Sequence, residues 1–146
     1  MENRELSVQG IVDLASAYYG SAVLFAAIES SVFTKIAQLG KSATVAEIAK
    51  AANASQRGMR LLLDACVATG LLAKKGDVYA NTQAGALSLV EHSKMDLSKA
   101  IRYNRDVYPA WGKLHNFVQT GKPVEAPEAH LGDDPGRTRS FVLSMR

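Results

Sequence analysis

The chain has 146 residues, 47% of them apolar and 21% charged, which is enough for one domain with a buried core. Its net charge of +3 is too small to indicate a nucleic-acid partner. The single cysteine, Cys66, cannot form an internal disulfide and lies on the apolar side of a predicted helix. We expect it to be a buried, unreactive thiol.

The N-terminus carries no signal for export or membrane insertion. It lacks a basic region followed by an apolar core and a small-residue cleavage site. The longest uncharged run, Leu14 to Ile28, is shorter than the roughly 20 residues that span a bilayer. We therefore expect a cytoplasmic chain with no membrane partner.

The first 40 residues are predicted to form helices. Apolar residues recur at helical spacing from Ile11 to Val32, and Gly20 marks a possible break between two helices. Side chains such as Tyr18 and Phe25 extend the apolar surface around more than one side of the helical cylinder. Either a partner surface or the later helices of the same chain must cover them, and the sequence leaves both open.

A helix-turn-helix is predicted next. Thr44 and Glu47 form a T-x-x-E capping box at the start of a short helix that ends near Asn53. Ser55 can cap the second helix, and Gly70 is suited to a left-handed C-terminal cap. The apolar face of the second helix comprises Met59, Leu62, Leu63, Cys66 and Val67.

A β-hairpin follows the second helix. Leu71–Lys75 and Val78–Thr82 flank Gly76 and Asp77, a pair suited to a two-residue turn with positive φ at the glycine. A hairpin in this place is the wing of a winged helix. The predicted fold class is therefore all-α with a small β-hairpin wing, a winged helix-turn-helix preceded by the N-terminal helices.

A winged helix can bind duplex DNA, with its second helix in the major groove and its wing on the phosphates. Gly58 and Asp64 count against this function here, and two arginines on a solvated helix face are commonplace. A DNA-binding transcription regulator is nevertheless the alternative function. The side chains that would contact DNA are Gln56, Arg57, Arg60, Lys74 and Lys75.

The order of the motifs is more informative than any one of them. A-A-I-E-S-S-V-F-T-K-I-A (26–37) precedes the T-V-A-E-I-A-K-A-A helix, the R-G-M-R-L-L-L-D-A-C-V-A-T-G-L-L run, the hairpin and the T-x-x-G of 82–85. Trp111 and V-Q-T-G-K-P (118–123) follow, and then Asp134-Pro135 and an F-x-x-x-M that ends at Met145. This order resembles the N-terminal dimerisation domain of S-adenosylmethionine-dependent O-methyltransferases of the caffeic-acid and hydroxyindole type, which also occur in bacteria.

The resemblance implies a homodimeric scaffold that roofs the pocket of a small, aromatic hydroxyl acceptor, with no nucleic-acid partner. It divides the chain into dimerisation helices (1–40), a winged helix (41–90), a tryptophan-bearing helical segment (91–120), and a connection with the start of a linker helix (121–146). The residues implied at the dimer interface are Leu14, Tyr18, Tyr19, Ala22 and Phe25. Those implied near the acceptor or methyl donor are Asn104, Trp111, Phe141 and Met145.

No catalytic or cofactor site is expected within the chain. Its eleven glycines never occur as G-x-G, so the glycine-rich cofactor loop is missing. The resemblance implies that S-adenosylmethionine binds the full-length protein in a further, C-terminal domain that also holds a histidine base. The three histidines, His92, His115 and His130, lack the spacing of a metal site. We therefore expect the chain alone to be inactive.

Overall fold

Three helices begin the chain in the computed structural model, which describes residues 5–125 and 135–144. They are α1 (Val8–Ser16), α2 (Tyr18–Glu29) and α3 (Val32–Gln38). The C-terminal half of α2 and most of α3 enter the core, whereas α1 contains no buried residue. The N-terminal segment is therefore helical, as its periodicity predicts.

The break between the first two helices lies at Ala17, so the expected break at Gly20 is wrong. The Ser16 hydroxyl donates to the Val12 carbonyl at 3.1 Å, and the Ala17 N–H reaches back only three residues, to the Leu14 carbonyl. Both contacts tighten the last turn of α1 and interrupt the regular hydrogen bonds. Gly20 lies inside α2, where helical φ and ψ suit any residue.

A small sheet and three helices form the middle of the chain. In chain order the elements are β1 (Ser42–Thr44), α4 (Val45–Ala51), α5 (Gln56–Ala68), β2 (Leu72–Lys75), β3 (Val78–Asn81) and α6 (Gln83–Ser88). The strands are antiparallel in the order β1-β3-β2, with Ala43 opposite Tyr79 and Lys74 opposite Tyr79 on the other side. The strand β1 was not predicted, because three residues are too few to show an alternating pattern.

The predicted caps are confirmed. Thr44 accepts the Glu47 N–H while Glu47 accepts the Thr44 N–H, which completes the capping box of α4. Ser55 accepts the N–H of Gly58 at the start of α5, at 3.1 Å. Gly70 has a φ of +76°, so the left-handed end of α5 and the turn into β2 require glycine there.

The core lies between α2 to α5 and the sheet. Its largest fully buried side chains are Tyr79, Phe33, Ile36, Ile48, Leu63, Val32 and Cys66. Burial raises the pKa of the Cys66 thiol to about 11, so this cysteine is a small apolar packing residue, as predicted. The chain is mostly helical with a small antiparallel sheet.

The last described helices are α7 (Ser98–Trp111), α8 (Leu114–Thr120) and α9 (Pro135–Ser144). Helix α7 packs against both α2 and α9. Helix α8 contains no buried residue. Met145, one of the residues implied near the acceptor, lies outside the described residues.

Candidate dimerisation and acceptor surfaces

A cleft of about 350 Å³ lies between α2 and α7. Two of the residues implied near the acceptor, Asn104 and Trp111, both line it. Ser21 and Asn104 are its uncharged polar side chains, and the other walls are apolar or aromatic. The lining residues are Ser21, Leu24, Phe25, Ile101, Asn104, Val107, Tyr108 and Trp111. An apolar cleft with a few polar groups suits a flat, largely apolar ligand.

Two contacts between α2 and α7 join the walls of the cleft. The Phe25 and Tyr108 rings meet edge to face with centroids 5.7 Å apart. One turn further along α2, Glu29 forms an ion pair with Arg105 at 2.6 Å. The two helices therefore run antiparallel, and residues on both sides of the cleft pack within one chain.

Phe141 lies on α9 beside the cleft. Its ring packs against Tyr103, with centroids 5.4 Å apart, and Tyr103 is the neighbour of Asn104 in α7. Phe141 is half-buried and is not among the cleft-lining residues. Asn104 and Trp111 therefore lie on α7 in the cleft, whereas Phe141 lies on α9 and packs on Tyr103, beside Asn104.

The residues implied at the dimer interface form an exposed apolar surface. Leu14 is 67% exposed, and Tyr18, Tyr19 and Ala22 are exposed as well. The Tyr18 and Tyr19 rings lie 4.3 Å apart, and their hydrogen bond raises the pKa of the Tyr18 hydroxyl. Phe25 differs, because its ring is half-buried against α7 of its own chain. The described part of the chain thus leaves α1 and the first turns of α2 exposed.

Taken as one run, Val8–Glu29 is long and apolar enough, by length and composition, to cross a membrane. This stretch is longer than the uncharged run Leu14–Ile28, and the expectation of no membrane partner stays a prediction. The same test is passed by apolar helices of proteins that never enter a membrane. The helix breaks at Ala17, and Ala27 and Ile28 at the end of the stretch lie in the protein core.

A polar contact that the sequence did not reveal joins α5 to the hairpin. Asp64 accepts hydrogen bonds from Lys74 at 2.7 Å and from the hydroxyl of the buried Tyr79 at 2.6 Å. These two bonds lower the pKa of Asp64, and the bond to Asp64 raises the pKa of Lys74. Lys74, a candidate DNA contact, is therefore already paired within the protein.

Three of the other candidate DNA contacts, but not Lys75, line a second cleft of about 430 Å³ where α4, α5 and the hairpin turn meet. Gln56, Arg57 and Arg60 line it, and Asp77 adds a negative charge to the same wall. Neither arginine forms an ion pair with another described residue. In residues 5–125 and 135–144, no three His, Cys, Asp or Glu side chains are grouped as a metal site would require.

Comparison with known proteins identifies the family. The family model of the O-methyltransferase dimerisation domain matches residues 12–91, from the middle of α1 to three residues beyond the end of α6. The chain belongs to this family. The matched region contains the exposed apolar surface from residue 12 onward as well as α4 and α5, whereas α7 and its side of the cleft lie outside it.

Two curated relatives are the tetracenomycin polyketide synthesis 8-O-methyl transferase TcmO of Streptomyces glaucescens and the acetylserotonin O-methyltransferase of Mus musculus. The first is 34% identical in sequence over 92% of this chain, and the second is 33% identical over 90% of this chain. The chain spans only 41% and 36% of the lengths of these relatives. It therefore corresponds to a part of each of them.

Solved structures show the same architecture. Human N-acetylserotonin methyltransferase in complex with SAM superposes on 99% of this chain, with a TM-score of 0.82 and 28% identity. An O-methyltransferase family protein from Burkholderia thailandensis covers 97% with a TM-score of 0.81 and 25% identity. The chain spans 46% and 42% of these structures. These comparisons give no support to the DNA-binding alternative.

Proposed function

We propose that the chain forms a homodimer through its N-terminal helices and roofs the acceptor site of an S-adenosylmethionine-dependent O-methyltransferase. The observation that carries this proposal is the uncovered apolar surface of α1 and the first turns of α2 in a member of a dimerisation family. A soluble chain rarely leaves a large contiguous apolar surface exposed unless a partner covers it. A second copy of the chain is that partner, and the protein is cytoplasmic.

The helix-turn-helix and hairpin serve in this proposal as a winged-helix scaffold. Lys74 and Tyr79 on the hairpin donate hydrogen bonds to Asp64 on α5 and so join the two elements. The charge of Lys74 is therefore paired with Asp64 within the protein. The other side of the unit supports α3 and α2 through the shared core. The scaffold thus fixes the direction in which the dimerisation helices leave the domain.

The cleft between α2 and α7 is the acceptor-facing surface in this proposal. Trp111 and Tyr108 supply flat apolar walls for an aromatic ring, and Asn104 offers an amide that can orient a hydroxyl group. Phe141, through Tyr103, fixes the part of α7 that carries Asn104. The methyl donor and the catalytic residues belong to the rest of the enzyme.

Replacing Leu14 with aspartate tests the dimer. The variant places a charge in the apolar interface, so we expect the dimer dissociation constant to rise at least about 100-fold. Sedimentation velocity at micromolar concentration measures it. Lys50→Asp, on the exposed side of α4, is the control and stays dimeric. Phe25→Asp is a poorer test, because Phe25 also packs on Tyr108 within one chain. A Leu14→Asp chain as dimeric as the control would contradict the proposal.

Trp111 is the only tryptophan and lines the cleft, so its fluorescence reports on ligand binding there. We expect 4-nitrophenol, a flat quenching phenol, to quench this fluorescence with saturation. Asn104→Ala weakens binding about three- to tenfold by removing one hydrogen bond. Asn116→Ala, on the exposed α8, is the control. Linear, unsaturable quenching that Asn104→Ala does not change would contradict an acceptor role for the cleft.

A further inference from the structure

Helix α7 forms one wall of the cleft but buries little of its own surface. Five of the eight residues that line the cleft are on this helix, among them Asn104 and Trp111. Ser98, at the start of α7, is its only fully buried residue, and Ile101 packs on the edge of the core. The core therefore holds the first turn of α7. The rotation of the rest of the helix against α2 depends on other contacts.

Two arginines on α7 pair with acids on two different parts of the chain. Arg102 pairs with Glu91, which lies between α6 and α7, and Arg105 pairs with Glu29 at the end of α2. Residues three apart lie on the same side of a helix, so both pairs hold one side of α7. None of these four residues lines the cleft. The pairs can thus fix the rotation of α7 from outside the cleft.

Glu91 is itself fixed to the core. Its N–H donates to the hydroxyl of Thr34 on α3 at 3.0 Å. The preceding residues also hold it, because Leu89 is buried in the core and Val90 packs against it. The carboxylate that meets Arg102 is therefore carried by backbone anchored on α3. The chain of contacts from Thr34 through Glu91 to Arg102 joins the core to the middle of α7.

The charged residues on this side of α7 differ in how they are paired. The side chains of Arg102 and Glu91 are 34% and 31% exposed, so solvent and salt screen this pair less than a fully exposed one. Arg105 has a second acid at 3.1 Å, Asp106 of the same helix. Lys99, one turn before Arg102, is exposed and forms no ion pair with another described residue. Arg102 is therefore the cation that depends most on an acid outside the helix and outside α2.

We propose that Glu91 and Arg102 are positioning residues for the acceptor, because their ion pair fixes the rotation at which α7 presents Asn104 and Trp111 to α2. A rotation of about 20° displaces the ends of side chains by about 2 Å, given a helix radius of about 5–6 Å. A shift of that size breaks a hydrogen bond from Asn104 to a ligand. This inference rests on the proposed acceptor role of the cleft and adds that a contact outside the cleft sets its affinity.

Arg102→Met tests the inference, since it removes the charge and keeps a long side chain. We expect the dissociation constant of 4-nitrophenol, measured by quenching of Trp111, to rise about three- to tenfold, as when the hydrogen bond of Asn104 is lost. Lys99→Met is the matched control. It removes the same charge from the same side of the same helix, and we expect a change of less than about twofold. Equal dissociation constants for the two variants would overturn the inference.

Exchanging the two charges separates positioning from a general loss of stability. Arg102→Glu alone is expected to weaken binding more than Arg102→Met does, because it faces Glu91 with a like charge. Glu91→Arg with Arg102→Glu restores opposite charges, and we expect binding within about threefold of the native chain. The urea midpoints of Arg102→Met and the exchanged chain are expected within about 0.5 M of the native value, because partly exposed ion pairs contribute little stability. Binding that the exchange does not restore, or that falls only in step with the midpoint, would overturn the inference.

The indole N–H of Trp111 gives a measurement that needs no ligand. Because Trp111 is the only tryptophan, its ¹H–¹⁵N NMR signal is assigned directly. It lies nine residues from Arg102, about 13 Å along the helix, so a shifted signal reports movement of α7 and not the substitution itself. We expect the signal to move in Arg102→Met, to stay in Lys99→Met and to return in the charge-exchanged chain. A signal that is the same in all three would overturn the inference.

The ligand and NMR measurements together separate the inference from the proposed function. Native chain that shows no saturable quenching would contradict the acceptor role of the cleft, and the indole signal would still decide whether Glu91 and Arg102 position α7. Saturable quenching that Arg102→Met leaves unchanged would overturn the inference and leave the cleft standing as a ligand site.

Discussion

The polar contact of Asp64 shows how one side chain fixes two elements. Asp64 lies on α5, whereas its two partners, Lys74 and Tyr79, lie ten and fifteen residues further along on the hairpin. The sequence could place Asp64 on the outer side of α5 but could not pair it, because the contact depends on how the hairpin folds back. The caps at Thr44 and Ser55 were predictable, since their partners are three residues away.

Replacing Asp64 with asparagine is expected to destabilise the chain at neutral pH. The folded chain lowers the pKa of Asp64, so its contribution is present above about pH 4 and is lost as the pH falls through the folded pKa. The difference in unfolding free energy between the native chain and Asp64→Asn therefore shrinks at low pH. Urea unfolding at pH 7 and pH 3 measures it, and Asp77→Asn in the exposed turn is the control. A difference that grows at pH 3 would contradict this assignment.

Gly85 explains the T-x-x-G motif. The Thr82 hydroxyl donates to the Leu71 carbonyl at 3.0 Å and accepts the Gly85 N–H at 3.2 Å. A Cβ at position 85 would lie 2.9 Å from that same carbonyl oxygen, which is backbone and cannot move aside cheaply. The motif thus lets the start of α6 approach the beginning of the hairpin closely.

Gly85→Ala is accordingly expected to lower the unfolding free energy by about 1–3 kcal/mol, the usual effect of overpacking. Urea unfolding at pH 7 measures the change. Gln83→Ala, at an exposed position of the same helix, is expected to change it by less than about 0.5 kcal/mol. Equal effects for the two substitutions would show that the backbone of α6 moves freely away from the hairpin.

At the scale of elements, long periodic segments were predictable and short ones were not. The thirteen residues of α5 show their apolar face and both ends in the sequence. The three residues of β1 carry no periodicity, and only their pairing with β3 makes them a strand. The break at Ala17 depends on the Ser16 hydroxyl, which competes locally for carbonyl oxygens and leaves no mark on the apolar pattern.

The proposed acceptor cleft is also formed at the scale of elements. The sequence alone could not have brought Asn104 and Trp111 to the same cleft as Ser21 and Phe25, because the two groups are about eighty residues apart. Resemblance to a family supplied the residues on α7. The antiparallel packing of α2 on α7 supplied the opposite wall, and with it the expectation that an N-terminal dimerisation helix also contributes to acceptor recognition.

At the scale of the whole molecule, the exposed apolar surface bears on the two possibilities that the sequence left open for covering it, a partner or the later helices of the same chain. The described later helices leave α1 and the first turns of α2 exposed, which supports the proposed partner. The family match over residues 12–91 makes that partner a second copy in our account. Dimerisation and acceptor roofing then share α2, whose outer surface adjoins the partner while Ser21 and Phe25 line the cleft.

The native mass of the chain, measured by sedimentation equilibrium over a range of micromolar concentrations, tests this account most directly. We expect the dimer, with twice the mass of the chain, to be the main species at every concentration in that range. A folded species of single-chain mass at all concentrations would contradict the dimer, because the apolar surface of α1 would then be stable in water without a second copy.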